Sequence, residues 1–147
     1  IDLCNQKIIE SANFEKFITL FIAVLDPKKE ELTYINCGHQ PPLLMQNGNA
    51  NFLQTGTTIL GMFEKLPSLK KGCISLNKND MLICYTDGLT EMPDQQGNQL
   101  EAKGIATVLK NKKTLTEVSD SLTLLINQNK TSNGLDDDIT FLAAQFL

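Results

Sequence analysis

The chain has 147 residues, of which 41% are hydrophobic and 20% charged, and its formal net charge at pH 7 is -4. This length fits a single domain with a sizeable core. The interspersed acidic and basic residues argue against nucleic acid or an anionic membrane as the main partner. No run of about eighteen apolar residues occurs, so the sequence predicts no transmembrane helix.

Cysteine usage bounds the cellular compartment. The four cysteines, Cys4, Cys37, Cys73 and Cys84, form no C-x-x-C pair, and His39 is the one histidine. A zinc site would need clustered cysteines and histidines, so zinc is not expected. The spacing instead predicts buried free thiols in a reducing compartment, which favours a cytoplasmic protein.

The first half of the chain alternates apolar runs with turn residues. Residues 1–10 have apolar side chains at helical spacing, and strand-like runs follow at 17–25, 32–37, 43–46 and 51–54. Asp26 and Pro27 predict a turn after the first strand. Asn47-Gly48-Asn49 predicts a hairpin turn between the last two. The loop at 56–61 contains glycines but lacks the lysine and the strand–loop–helix context of a nucleotide phosphate-binding loop.

The second half places strands before helices. Strands are predicted at 73–76, 81–85 and 139–147, an exposed loop at 91–100, and a short helix at 105–110. Thr114 and Glu117 have the spacing of a capping box, and the helix that they begin has one apolar stripe formed by Leu115, Val118, Leu122 and Leu125. Segregated strands and helices favour an α+β fold with antiparallel sheets over a doubly wound one.

Carboxylates border two of the strand-like runs. Asp87 follows strand 81–85 in YTDGLT, and Asp136, Asp137 and Asp138 precede the last strand. A turn explains Asp-Gly after a strand, and acids before a strand discourage edge pairing. Consecutive carboxylates also repel, and a hard cation such as Mg²⁺ or Mn²⁺ would relieve that repulsion and activate water. Both interpretations stay open from these residues alone, and for the lone His39 a structural role is favoured over acid–base chemistry.

Five stretches, in this order and spacing, resemble one enzyme family. They are FITLFIAVLD at 17–26, LTYINCGHQPPLL at 32–44, ILG at 59–61, NDMLICYTDGLTE at 79–91 and DDIT at 137–140. Together they resemble the SpoIIE/RsbU branch of the metal-dependent PPM (PP2C-like) serine/threonine phosphatases. The resemblance implies one domain over residues 1–147, with an antiparallel β-sandwich flanked by helices. It also implies that the domain is N-terminally incomplete, since the family's metal-bridging aspartate would precede Ile1.

The resemblance also implies roles for individual residues. Asp87 and Asp137 would be catalytic metal ligands and Asp138 a neighbouring ligand, with two Mn²⁺ or Mg²⁺ ions in the complete domain. A metal-activated water would hydrolyse phosphoserine or phosphothreonine on a regulatory protein of the anti-sigma-factor antagonist type, in bacterial partner-switching signalling. The alternative is a non-catalytic PPM-like module that binds a partner protein.

The incomplete N-terminus implied by the resemblance leads to two further expectations. The 147-residue chain alone should be weakly active or inactive, because the bridging carboxylate would be missing. An unpaired sheet edge should also favour a homodimer. No contact with nucleic acid or membrane is expected from this domain.

Overall fold

The structure is a computed structural model that describes residues 1–94, 97–129 and 137–147. Its elements in chain order are α1 (Asp2–Ala12), β1 (Leu20–Asp26), β2 (Glu31–Cys37), β3 (Leu43–Gln46), β4 (Asn49–Phe52), β5 (Gly56–Thr57), β6 (Gly72–Ser75), β7 (Met81–Tyr85), α2 (Asp87–Glu91), α3 (Glu101–Leu109), α4 (Leu115–Asn129) and β8 (Phe141–Gln145). They form two compact units, Ile1–His39 with Leu53–Leu76, and Gln40–Phe52 with Asn77–Leu147. The α+β class is as the sequence predicts.

The first unit contains α1 and a four-stranded sheet. β1 and β2 pair antiparallel over their full length, from Leu20 opposite Cys37 to Asp26 opposite Glu31. The turn between them forms as predicted, because the Asp26 carboxylate accepts hydrogen bonds from the backbone N–H groups of Lys28 and Lys29 at 3.0 and 3.2 Å. β6 pairs antiparallel with β2, and the short β5 pairs with it in parallel.

Two buried asparagines tie loops to the first unit. Asn5 on α1 donates to the carbonyl of Phe63 and accepts from the N–H of Gly61, both at 2.8 Å. Asn36 on β2 donates to the carbonyls of His39 and Leu53 at 3.0 and 3.1 Å, and its Oδ1 accepts from the N–H of His39 at 2.8 Å. Buried amides satisfied in this way fix the backbone that they bind.

The second unit contains an antiparallel sheet in the order β4-β3-β7-β8. Asn47 and Gly48, with φ of 49° and 79°, join β3 to β4 in a two-residue turn. Positive φ at both positions is what a type I′ hairpin turn requires, and Asn-Gly supplies it at little cost. The core of this unit draws buried side chains from both strands and helices, namely Leu43, Met45, Met81, Ile83, Tyr85, Leu89, Met92, Ile105, Leu109, Val118 and Leu122.

The capping box at the start of α4 forms as predicted. Thr114 Oγ1 accepts from the N–H of Glu117 at 3.2 Å, while a Glu117 oxygen accepts from the N–H of Thr114 at 3.0 Å. Val118 and Leu122 of the predicted apolar stripe are fully buried, whereas Leu115 is 39% exposed. The helix spans Leu115–Asn129.

Several expectations were wrong in detail. Gly56–Thr57 is a strand rather than part of a loop, and Asp87–Glu91 is a short helix rather than a plain turn. β1 begins at Leu20, three residues after its predicted start. α3 begins at Glu101, four residues before its predicted start. Of the four free thiols, only Cys37 is buried; Cys4 and Cys73 are exposed.

Candidate metal centre

Antiparallel pairing of β7 with β8 brings the TDG and DDIT motifs together. The ladder ends with Tyr85 opposite Phe141. One further backbone hydrogen bond continues beyond it, from the N–H of Thr86 to the carbonyl of Thr140 at 3.0 Å. Residues on either side of Asp87 therefore lie beside the backbone that follows Asp137 and Asp138.

The Thr86 hydroxyl adds a second connection between the motifs. Its Oγ1 accepts from the N–H of Thr140 at 3.0 Å. Its own proton faces the carbonyls of Asp138 and Thr140, at 3.3 and 3.4 Å, and is donated to one of them at a time. Because the backbone and the side chain of Thr86 both bind this segment, Thr86 helps to hold residues 138–140 in place.

Gly88 allows the two segments to approach closely. A Cβ atom at this position would lie 2.6 Å from the carbonyl oxygen of Asp138 and 3.3 Å from the Ile139 side chain. Any larger residue would push α2 away from the DDIT segment, since contact with a backbone oxygen cannot be relieved by a rotamer change. The glycine of TDG is thus required by packing between the motifs.

The carboxylates themselves are exposed and bind only local backbone. Asp87 is the first residue of α2, and its Oδ1 accepts from the N–H of Gly88 at 3.1 Å. Asp137 Oδ1 accepts from the N–H of Asp138 at 2.8 Å. Neither they nor Asp138 form an ion pair with a lysine in the ranges that the structure describes. Asp136 lies outside the described residues.

The donor chemistry at this place fits a hard divalent cation. Every candidate ligand atom is a carboxylate oxygen, which Mg²⁺ and Mn²⁺ prefer, and no cysteine or histidine lies in either motif. In residues 1–94, 97–129 and 137–147, however, no three aspartate, glutamate, histidine or cysteine side chains form a metal-binding group. The residues therefore fit part of a magnesium or manganese site, in which water would fill the remaining positions.

His39 has structural contacts within the first unit. Its backbone N–H and carbonyl both bind the Asn36 side chain, and its Nδ1 lies 3.5 Å from Thr19 Oγ1. Gly38 before it has φ of 70°, and a Cβ there would overlap the Ile59 side chain at 2.3 Å. These contacts favour the structural role that the sequence predicted for this histidine.

Sequence reasoning missed three residues that connect the motifs. Thr86, Gly88 and Thr140 contribute the hydroxyl, the close approach and the backbone partner described above. The signal for them was present, because threonine occurs in both TDG and DDIT. It could be interpreted only once the register of β7 against β8 was known.

One family model covers the whole chain, and individual relatives match about three fifths of it. Residues 1–147 match the model of a family described as Stage II sporulation protein E (SpoIIE). The chain is 31% identical to protein IcfG of Synechocystis sp. over 93 residues, 62% of this chain and 14% of that protein. It is 27% identical to phosphoserine phosphatase RsbU of Bacillus subtilis over 95 residues, 63% of this chain and 28% of that protein. The chain thus spans less than a third of each of these relatives.

Solved structures share the fold. The SiaA-PP2C domain of Pseudomonas aeruginosa gives a TM-score of 0.80 at 14% identity, with 97% of this chain and 57% of that one covered. The RsbU and RsbW domains of Rv1364c from Mycobacterium tuberculosis give a TM-score of 0.70 at 30% identity, with 95% of this chain and 39% of that one covered. The phosphatase domain of SpoIIE from Bacillus subtilis, presoaked with Mn, gives a TM-score of 0.69 at 17% identity, with 98% of this chain and 63% of that one covered.

Proposed function

Because the chain belongs to the Stage II sporulation protein E (SpoIIE) family, we propose that it is part of a metal-dependent protein phosphatase. Its substrate is a phosphoserine or phosphothreonine on a regulatory protein. The observation that carries the proposal is the direct connection of the TDG and DDIT motifs through Thr86 and Gly88. The likeness to the phosphoserine phosphatase RsbU supports the reaction type.

The proposed metal ligands are Asp87 and Asp137, with Asp138 beside them. Magnesium or manganese would supply Lewis acidity toward the phosphoryl group and a nucleophilic water at neutral pH. All three carboxylates are exposed, and none forms an ion pair with a lysine that the structure describes. Their oxygens are therefore accessible to a cation, which supports this assignment. The likeness to a phosphatase domain presoaked with Mn agrees with a hard cation.

The chain's own residues then divide the work. Asp87 and Asp137 would hold the cation through carboxylate oxygens, and each carboxylate accepts one hydrogen bond from the next backbone N–H. Thr86 and Gly88 keep the two backbone segments together, so the backbone that carries the carboxylates is in place before the ion binds. Holding ligands in place lowers the entropy lost on binding. Exposure of the site leaves room for a phosphorylated side chain on a protein surface.

The proposed partner is a phosphoprotein of the anti-sigma-factor antagonist type. The support is the likeness to a Mycobacterium tuberculosis protein in which RsbU and RsbW domains occur together. A cytoplasmic location belongs to the same proposal, and the free cysteines agree with a reducing compartment. Among the described residues, no helix has both the length and the apolar character needed to span a bilayer.

Self-association is also part of the proposal. Among the described residues β1 forms a strand ladder with β2 alone. Ile22 and Val24 on β1 are 46% and 66% exposed. A strand edge that no described residue pairs, with apolar side chains on the strand, favours pairing with another strand, here β1 of a second copy. Light scattering after size exclusion tests this, since Val24→Lys should shift any dimer to monomer.

The phosphatase assay uses the protein at its full natural length, a phosphoserine peptide and Mn²⁺. Asp87→Asn and Asp137→Asn should each lower turnover by about 100-fold or more, because even outer partners of metal ligands are worth 10–100-fold. Asp120→Asn, an exposed carboxylate on α4, is the matched control and should leave turnover unchanged. Full activity in both ligand variants would refute the proposed site.

The binding-module alternative keeps one observation in its favour. The described residues contain no group of three metal-binding side chains. If the full-length wild type shows no Mn²⁺-dependent turnover but binds an antagonist-type protein, the module is the correct function. Calorimetry with that protein, phosphorylated and unphosphorylated, distinguishes the two: a phosphatase turns over the phosphorylated form, and a module binds it without change.

A further inference from the structure

Three turns of the second unit meet in a cleft of about 540 Å³ at the start of β7. The first is the β3–β4 hairpin turn at Asn47-Gly48, the second lies between β6 and β7 at residues 77–80, and the third joins α3 to α4 at residues 110–113. The first and third turns touch, because a Cβ at Gly48 would lie 3.3 Å from Asn111 Oδ1. We call this cavity the three-turn cleft.

Hydrogen bonds hold the second and third turns of the three-turn cleft in place. Asp80, 3% exposed, accepts from Gln46 Nε2 at 2.5 Å and from the N–H of Asn77 at 2.7 Å. Its backbone carbonyl accepts from the N–H of Phe146 at 2.9 Å. The third turn is fixed to β8, since Gln145 Nε2 donates to the carbonyl of Lys113 at 2.9 Å. Hydrogen bonds from Gln46, Gln145 and Phe146 thus hold the second and third turns at Asp80 and Lys113 before any ligand arrives.

The lining is cationic in a chain that is acidic as a whole. Lys78, Lys112 and Lys113 contribute three positive charges from two different turns, against the single carboxylate of Asp80. The Asp80 carboxylate is already bonded to amide donors, and in the described ranges none of the three ammonium groups forms an ion pair. Glu117, the nearby acid on α4, has its pKa lowered by backbone hydrogen bonds from Lys113 and Thr114. The Lys112 charge also lowers that pKa, so Glu117 offsets part of the positive charge, but its hydrogen bonds go to the backbone.

We infer that the three-turn cleft binds a small molecule with two or more linked phosphates. Lysines on separate turns match a ligand with several separated charges better than a single phosphate. The side-chain amides of Asn47, Asn79 and Asn111 add neutral donors at the same rim. A cavity of this size lies within the range of small-molecule sites, 300–1,000 Å³ as a rough rule, and exceeds what one phosphate needs.

This site is separate from the candidate metal centre. The cleft lies at Asp80 and Met81, where β7 begins, and Asp87 follows the other end of the same strand. A strand rises about 3.4 Å per residue, so five residues separate the two places by roughly 17 Å. A ligand in the cleft is therefore neither substrate nor metal ligand, and the inference does not rest on the proposed phosphatase activity.

The test is an NMR titration of the protein at its full natural length with inorganic pyrophosphate. Divalent cations are removed, which keeps the anion from binding at the metal centre. We expect saturable shifts at residues 47–48, 78–80 and 111–113. The triple variant Lys78→Gln, Lys112→Gln, Lys113→Gln should weaken binding by about tenfold, as expected for three partly exposed charge contacts. All three side chains reach solvent, so the variant should fold, and circular dichroism verifies it.

A control variant with the same change in net charge distinguishes binding at the cleft from nonspecific electrostatic attraction of the anion. Lys28→Gln, Lys65→Gln, Lys71→Gln removes three exposed lysines of the first unit and should bind pyrophosphate like the wild type. Equal weakening in both triple variants, shifts that do not saturate, or no shifts would overturn the inference. Binding of orthophosphate as tight as that of pyrophosphate would refute the ligand class. Binding of ADP at the same residues would extend it to nucleotides.

Discussion

Replacing Gly88 by alanine tests whether close backbone approach maintains the candidate metal centre. The new Cβ would lie 2.6 Å from the Asp138 carbonyl oxygen, 0.8 Å short of an ordinary contact at 3.4 Å (3.4 − 2.6). The neighbour is backbone, so α2 or the DDIT segment has to move. Overpacking of this kind costs about 1–3 kcal/mol, and the helix preference of alanine over glycine offsets about 1 kcal/mol.

The expected net loss is about 1 kcal/mol in the free energy of unfolding, or a fall of about 2–5 °C in Tm. Separation of the carboxylates should also weaken Mn²⁺ binding by about tenfold, as for other partners that position metal ligands. Urea denaturation without metal and calorimetric titration with Mn²⁺ measure the two effects.

Gly104→Ala is the matched control, because it also lies inside a helix and its Cβ would lie 2.6 Å from a neighbour. The neighbours are Cδ1 and Cγ of Leu100, at 2.6 and 2.8 Å, and rotation of that side chain can move both away. We expect unchanged or slightly higher stability there, and unchanged Mn²⁺ affinity. If Gly88→Ala matches this control in both measurements, close approach of the motifs does not support the site.

Three further predictions concern single side chains. Thr86→Val should lower Mn²⁺ affinity about tenfold in calorimetry by removing the hydroxyl bound to Thr140, whereas Thr86→Ser should retain it. Asp137→Asn keeps an oxygen that can accept from the Asp138 N–H, so the Tm without metal should stay unchanged or rise while Mn²⁺ binding weakens; a large fall in Tm would make Asp137 a structural residue. Burial raises the pKa of Tyr85 from 10.0 to about 12, so its contribution to stability should be complete below pH 10 and be lost as the pH rises through 12. Urea denaturation at each pH measures this alkaline loss, which should disappear in Tyr85→Phe. That variant should have a free energy of unfolding lower by about 1 kcal/mol at every pH below 10, because it lacks the bond to the Pro41 carbonyl.

Elements with local signals could be predicted from the sequence. The β1–β2 and β3–β4 hairpins and the capping box of α4 are specified by residues a few positions apart. The family was predicted from motif order, and the match over residues 1–147 confirms it. Local preference and tertiary structure agree at these places, which is why reasoning over short windows succeeds.

The missed elements depend on distant partners. Gly56–Thr57 is a strand only because it pairs with β2, and its glycine is needed because a Cβ would lie 1.8 Å from the Asn36 carbonyl oxygen. α2 has five residues and begins at an Asp-Gly pair, which is typical of a turn when read alone. For the same reason the roles of Thr86 and Gly88 could not be predicted, since their partners lie about fifty residues further along the chain.

The Asn36 side chain has a consequence for insertion tolerance. It binds His39, the last residue before the chain leaves the first unit, and Leu53, the first residue on its return. One amide thus closes residues 40–52 into a loop whose ends stay fixed whatever lies between them. Doubling the length of such a loop costs only about 0.6 kcal/mol in closure entropy. A foreign peptide inserted at the Asn47-Gly48 turn should therefore leave the sheet that contains Asn36 intact.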